Sequence, residues 1–130
     1  MKVTRLNAGS PWEGIVGYSR VVVRGDTAWV SGTTSAGGGV VHHPGDAAGQ
    51  TREALATIAA ALEKAGFSLN DVVRTRIFVT DISRWDEVGR VHGEVFGDVR
   101  PASTMVQVAA LIDPAMLIEI EADAVRGAGA

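Results

Sequence analysis

Residues 117–125 read Leu-Ile-Glu-Ile-Glu-Ala-Asp-Ala-Val. Successive side chains of a strand point to opposite faces. Ile118, Ile120, Ala122 and Ala124 therefore form an apolar face, and Glu119, Glu121 and Asp123 an acidic stripe behind it. Residues 72–80, Val-Val-Arg-Thr-Arg-Ile-Phe-Val-Thr, divide in the same way, with Val73, Thr75, Ile77 and Val79 on one side and Arg74, Arg76 and Phe78 on the other. Two such strands predict a sheet with one face in a core and one mixed face.

Outward from these strands the pattern alternates between strand and helix. Residues 20–24 and 27–31 are β-rich runs joined by Gly25-Asp26, a hairpin signal. Residues 33–45 form a loop containing Gly37-Gly38-Gly39, His42-His43 and Pro44-Gly45. Asp46 is placed to cap a helix whose Leu55, Ile58, Leu62 and Ala65 share a face, and Gly66 stops it. Ser83 is placed to cap a second helix, with Asp86 as its capping-box partner and Trp85, Val88, His92 and Phe96 on one face. Gly89, Gly93 and Gly97 weaken that helix. Residues 103–111 alternate again, with Ser103, Met105 and Gln107 assigned to the mixed face and Thr104 and Val106 to the other, and Asp113-Pro114 turns into the last strand. A short strand over residues 3–6 precedes the hairpin, and residues 126–130 read as a frayed tail.

The order predicts an α+β fold: a two-layer sandwich of a mixed five- or six-stranded sheet and two helices. The 130 residues suffice for one domain, 1–130. The mixed face holds apolar groups among charges, and other subunits of a symmetric oligomer are expected to cover it. The alternative is a solvated face with isolated apolar residues.

Composition narrows the function. With no cysteine, disulfides, thiolate metal sites and cysteine nucleophiles are excluded. The net charge of -3 and the absence of a basic stripe argue against a nucleic-acid partner. No stretch approaches the ~18 apolar residues of a membrane span, and residues 1–10 lack the apolar core of a secretory signal. The expectation is a cytoplasmic protein with no membrane partner and no cofactor. His42, His43 and Asp46 are a conceivable metal set, but adjacent histidines in a glycine loop read as solvated, so no metal is expected. Gly37-Gly38-Gly39 lacks a P-loop frame and reads as a flexible loop, a candidate lid. His92 reads as a satisfied core or interface histidine.

Several motifs in order carry a family resemblance: Tyr18-Ser19, Val30-Ser31-Gly32, Ala61-Leu62-Glu63-Lys64-Ala65-Gly66-Phe67, Asp71-Val72-Val73-Arg74, Ile77-Phe78-Val79-Thr80-Asp81, Arg100-Pro101-Ala102 and Ile118-Glu119-Ile120-Glu121-Ala122. Across about residues 3–126 the chain resembles the YjgF/RidA family of reactive-intermediate (imine/enamine) deaminases. The resemblance implies a chorismate-mutase-like fold assembled as a homotrimer, with small-molecule clefts between subunits. It implies a cleft lined by Tyr18, by Ser31 and Gly32, and by Glu119, and the hydrolysis of an imine, tautomer of an enamine such as 2-aminoacrylate. The family's carboxylate-binding arginine is missing: Pro-Ala-Arg-Ser is here Pro101-Ala102-Ser103-Thr104. Gly89 stands where the family has an asparagine, and the segment before Glu119 is one residue longer. The chain thus resembles a divergent branch.

Glu119 is the candidate catalytic carboxylate, since a carboxylate beside water can move the protons of imine hydrolysis. Without the resemblance it reads sooner as a strand glutamate paired with Arg74 or Arg76, or as one solvated at a trimer channel. Tyr18 can stack on or hydrogen-bond a ligand, or simply fill an interface. Ser31 and Gly32 lack a nucleophile-elbow frame and read as a hydrogen-bonding wall. Ser103 and Thr104 replace the guanidinium fork with neutral hydroxyls, a loss of ~1–2 kcal/mol per contact to a carboxylate. Arg76 and Arg100 are the cations that can substitute. The expectation is weak or absent activity on 2-iminopropanoate, with a non-catalytic metabolite-binding or sensor trimer as the alternative and an endoribonuclease as the remote one.

Overall fold

In the computed structural model, which describes residues 2–127, β8 (Ile118–Val125) lies at the centre of a six-stranded sheet. The other strands are β1 (Val3–Leu6), β2 (Val21–Arg24), β3 (Thr27–Thr33), β6 (Val72–Val79) and β7 (Ala102–Gln107). They are ordered β1-β2-β3-β8-β6-β7. Every neighbouring pair is antiparallel except β6–β7. That parallel pair needs a crossover, which α2 (Trp85–Phe96) supplies. The longer helix α1 (Ala47–Lys64) carries the chain from β3 to β6 and packs on β3, β8 and α2. The α+β sandwich read from the sequence is therefore the fold.

The Gly25-Asp26 hairpin forms with the register Val21↔Val30 and Arg24↔Thr27, and Gly25 takes φ 60° at the first turn position. Asp46 caps α1 by accepting from the Gly49 N–H at 2.9 Å, and Gly66 ends it with φ 85°. Leu55, Ile58 and Leu62 are fully buried under the sheet with Ile118, Ile120, Ala122 and Ala124. Burial of a side chain such as Leu55 contributes ~1.5–3 kcal/mol. Gln50 is fully buried yet satisfied: its amide donates to the His43 and Ala115 carbonyls and accepts from Leu117 N–H.

The structure corrects several expectations. A register shift between Val72 and Arg74 turns Val72 inward and leaves Val73 47% exposed, so Val73 is not a core residue. The second helix is entered through a 3-10 turn, Ile82–Arg84, capped by Asp81 rather than Ser83; the Ser83 hydroxyl itself donates to Asp81. Trp85 is 60% exposed, and Val91 takes the buried position beside Val88 and Phe96. Pairing with β6 in the register Thr75↔Ser103, Ile77↔Met105 and Arg76↔Thr104 places Met105 and Gln107 on the helix side, and Thr104 and Val106 on the mixed face with Arg76 and Phe78. This inverts the faces read from residues 103–111. The Gly37–Gly39 stretch is a turn, with Gly38 and Gly39 at φ 62° and 79°, between the two-residue strands β4 (Ala36–Gly37) and β5 (Val40–Val41). Arg126 is not frayed: it donates to the Gly66 and Gly25 carbonyls and stacks over Phe67 at 4.3 Å. Residues 128–130 of the expected tail lie outside the described residues.

Candidate functional site

Glu119 sits on the face of β8 opposite the helices, held there by the buried Ile118 and Ile120 on either side. Its neighbour on one flank is Phe78 of β6. On the other flank β3 bulges: Val30 pairs with Ala122 and Thr33 with Ile120, so three steps on β3 span two on β8. Gly32 lies in the bulge. A Cβ added there would collide with Glu119 Oε2, so only glycine lets the carboxylate rest against the β3 backbone. The Glu119 side chain is half-buried in this gap. Burial pushes its carboxyl above the usual carboxylate range; the Arg20 guanidinium pulls it back, and Glu121 pushes it up again.

The bulge has a second support that the sequence reading missed. Arg20 is only 8% exposed, and its Nη1 donates to Ser31 O at 3.2 Å, Gly32 O at 2.7 Å and Thr33 Oγ1 at 2.9 Å. Glu13 lies 4.0 Å from its Nε and is itself held by the Ala8 and Gly9 N–H groups. The signal was available: the hairpin register, counted back from Gly25-Asp26, sets Arg20 opposite Ser31, whose N–H bonds the Arg20 carbonyl at 3.0 Å.

Tyr18, Ser31, Gly32 and Glu119 are thus brought together around Arg20. The Tyr18 ring lies 5.7 Å from the Arg20 guanidinium carbon, and its hydroxyl is 3.5 Å from Ser10 Oγ. Ser31 Oγ donates to the Ser19 carbonyl at 2.6 Å. With its proton engaged on the backbone, this hydroxyl fits a wall rather than a nucleophile.

Arg76 and Thr104 share the face of Glu119. Arg76 is paired with Glu121 at 3.3 Å and Asp123 at 3.2 Å. These three residues, with Val22, Trp29 and Ser31, line an open depression of about 360 Å³. Ser103 and Gly89 are elsewhere. Ser103 Oγ accepts from Thr75 Oγ1 at 2.8 Å, and the same Thr75 hydroxyl meets His92 Nε2 at 2.8 Å on the helix side of the sheet. Burial lowers the His92 pKa and so favours its neutral ring. Gly89 is on α2, where the Trp85 ring lies 3.7 Å from the position of an added Cβ. Within one chain these two residues and Glu119 occupy opposite sides of the sheet. Arg100 closes the end of α2 with φ 54° and its N–H on the Phe96 carbonyl.

His42 and His43 both turn to Glu53, at 2.7 and 3.3 Å. Among the described residues no group of three or more histidine or acidic side chains is arranged to hold a metal ion, and no helix is long and apolar enough to cross a membrane.

The fold and sequence have counterparts among known proteins. The family model described as endoribonuclease L-PSP matches residues 10–126. The chain belongs to the YjgF/RidA family. The crystal structure of Mycobacterium tuberculosis Rv2704, itself described as a YjgF/YER057c/UK114 family member, is 53% identical with a TM-score of 0.88, covering 96% of this chain and 100% of that one. An uncharacterised protein of Streptomyces coelicolor is 39% identical over 126 residues, 97% of this chain and 94% of that protein. The 3-aminoacrylate deaminase RutC of Acinetobacter baylyi is 46% identical over 80 residues, 62% of this chain and 63% of RutC.

Proposed function

We propose that this protein hydrolyses a small imine, enamine or related carbon–nitrogen substrate in clefts between the subunits of a homotrimer, with weak or no turnover of 2-iminopropanoate. The observation that carries the reading is the Glu119 carboxylate lodged against Gly32, with burial raising its pKa. A carboxylate tuned upward toward the working pH serves well as a general acid–base group. In the proposed step, water adds to the imine carbon and Glu119 takes one of its protons. Glu119 returns that proton to nitrogen to give a carbinolamine, then takes the carbinol hydroxyl proton and passes it to nitrogen as the carbon–nitrogen bond breaks, so that a carbonyl compound and ammonia leave. Tyr18, Ser31 and Gly32 wall the pocket, and Arg76 of β6 and Thr104 of β7 border it.

Two features support a cleft between copies. Ser103 and Gly89 lie across the sheet from Glu119, so one copy cannot present all three to one ligand. The face of Glu119 also leaves Trp29 45% and Val106 42% exposed among charges, as a surface covered by other subunits would. The name of RutC supports the substrate class. The expected weakness on 2-iminopropanoate follows from position 103, where a hydroxyl replaces a guanidinium, and from Arg76, whose charge is already shared by two carboxylates.

That same loss favours a second reading, a trimer that binds a metabolite without turnover. The acidic stripe of Glu119, Glu121 and Asp123 weighs against an RNA substrate, whatever the description of the family model. The test is a panel of imines released in situ by an amino-acid oxidase, with aliphatic and aromatic side chains. Wild type should accelerate hydrolysis of at least one, and Glu119→Gln should lower kcat by ~10²–10⁴-fold with binding retained. Acceleration that survives in Glu119→Gln would remove the carboxylate from the mechanism, and binding without acceleration across the panel would establish the second reading.

A further inference from the structure

We infer that Arg20 is a positioning residue of the Glu119 site: its guanidinium holds the bend of residues 31–33 that leaves Gly32 open to the Glu119 carboxylate, and it sets a fixed positive charge facing that carboxylate. Arginine is among the residues least often buried without a partner. Here its burial has a geometric cause. The bulge in β3 takes residues 31 and 32 out of register with β8, so their carbonyls need another donor. One guanidinium nitrogen reaches both carbonyls and the Thr33 hydroxyl, which itself donates to Ser31 O at 2.8 Å. The bend closes on Arg20, and the bare Gly32 at its crest receives Glu119.

The electrostatic half follows from what surrounds Glu119. On its own strand Glu121 repels it. On β6 its opposite number is the uncharged Phe78, and Arg76 is engaged with Glu121 and Asp123. From β3 the facing residue is Gly32. Arg20, balanced from behind by Glu13 and flanked by the Tyr18 ring, is the cation that acts on it. Arg20 therefore draws the buried carboxyl back toward ionisation while the gap desolvates it.

The catalytic part of this inference rests on Glu119 being the proton-handling group, but its test needs no substrate. Proteins carrying ¹³C-carboxyl glutamate are titrated by NMR, with Glu119→Gln assigning the resonance. Arg20→Gln should move the Glu119 midpoint upward, and Arg20→Lys, which keeps the charge, should move it less. In the wild type the Arg20 side-chain ¹⁵N resonances should follow the Glu119 titration, and in Glu119→Gln they should stay flat. A folded Arg20→Gln with an unshifted Glu119 midpoint overturns the inference. Should that variant not fold, wild-type Arg20 resonances that ignore the Glu119 titration overturn it instead. Where an imine substrate is turned over, the acid limb of kcat/KM should move with the midpoint in Arg20→Gln. Failure of the imine panel leaves the titration result standing and removes only the catalytic role.

Discussion

The two faces of β8 are built from alternate residues of one strand, yet they follow different rules. On the helix side Ile118, Ile120, Ala122 and Ala124 are buried to the last per cent or so, and any apolar side chain of the right volume satisfies the site. On the other side Glu119 is fixed by a missing Cβ at Gly32, a guanidinium from Arg20 and a repelling Glu121. The closed face specifies the fold through volume. The open face is set through position and charge, which is where we propose the chemistry lies, and it depends on the closed face for its rigidity.

Substitutions should separate the two. Leu62→Ala, on the helix that covers the closed face, is expected to destabilise the protein by ~2–5 kcal/mol in urea melts, leaving the Glu119 titration where it was. Gly32→Ala, on the open face, should cost little stability because the Glu119 side chain can swing away, but it should displace that carboxylate, so that imine turnover falls by more than the loss of folded protein explains. A smaller effect concerns pH. The folded pKa of Glu119 lies above its unfolded value, chiefly through burial, so folding takes up a proton between the two. This group's contribution is fully present below the ordinary carboxylate range and falls as pH rises through the raised folded value. Glu119→Gln should therefore gain stability over wild type at pH 7, and the gap should narrow in acid, as paired thermal melts at several pH values would register. Smallest of all is Arg76→Ala: its ion pairs with Glu121 and Asp123 are only partly buried and open to screening, and the change should stay within ~1 kcal/mol.

Legibility in the sequence followed the same division. Elements governed by local pattern were readable: the Gly25-Asp26 hairpin, the Asp46 cap, the Gly66 stop and the two faces of β8. The faces of β7 were misread because alternation gives two faces without saying which is which, and the parallel register with β6, set by the crossover through α2, decides it. Val73 was misread because a bulge resets the alternation, and a bulge in β6 leaves no composition signal. Among the candidate site residues, Glu119, Tyr18, Ser31 and Gly32 were named through the family resemblance, and the structure adds why a glycine at 32 lets Glu119 rest against β3. Arg20 escaped because a strand arginine reads as solvated unless the cross-strand register is counted. Ser103 and Gly89 fall across the sheet from Glu119, and no single chain can tell how the two sides meet.

That last point makes assembly the most direct test of the account. Sedimentation equilibrium of the full chain, over a range of concentrations and beside the imine assay, should give three times the chain mass wherever turnover is measured. A monomer at the assay concentration with undiminished activity would contradict the account, because the open face would then work uncovered.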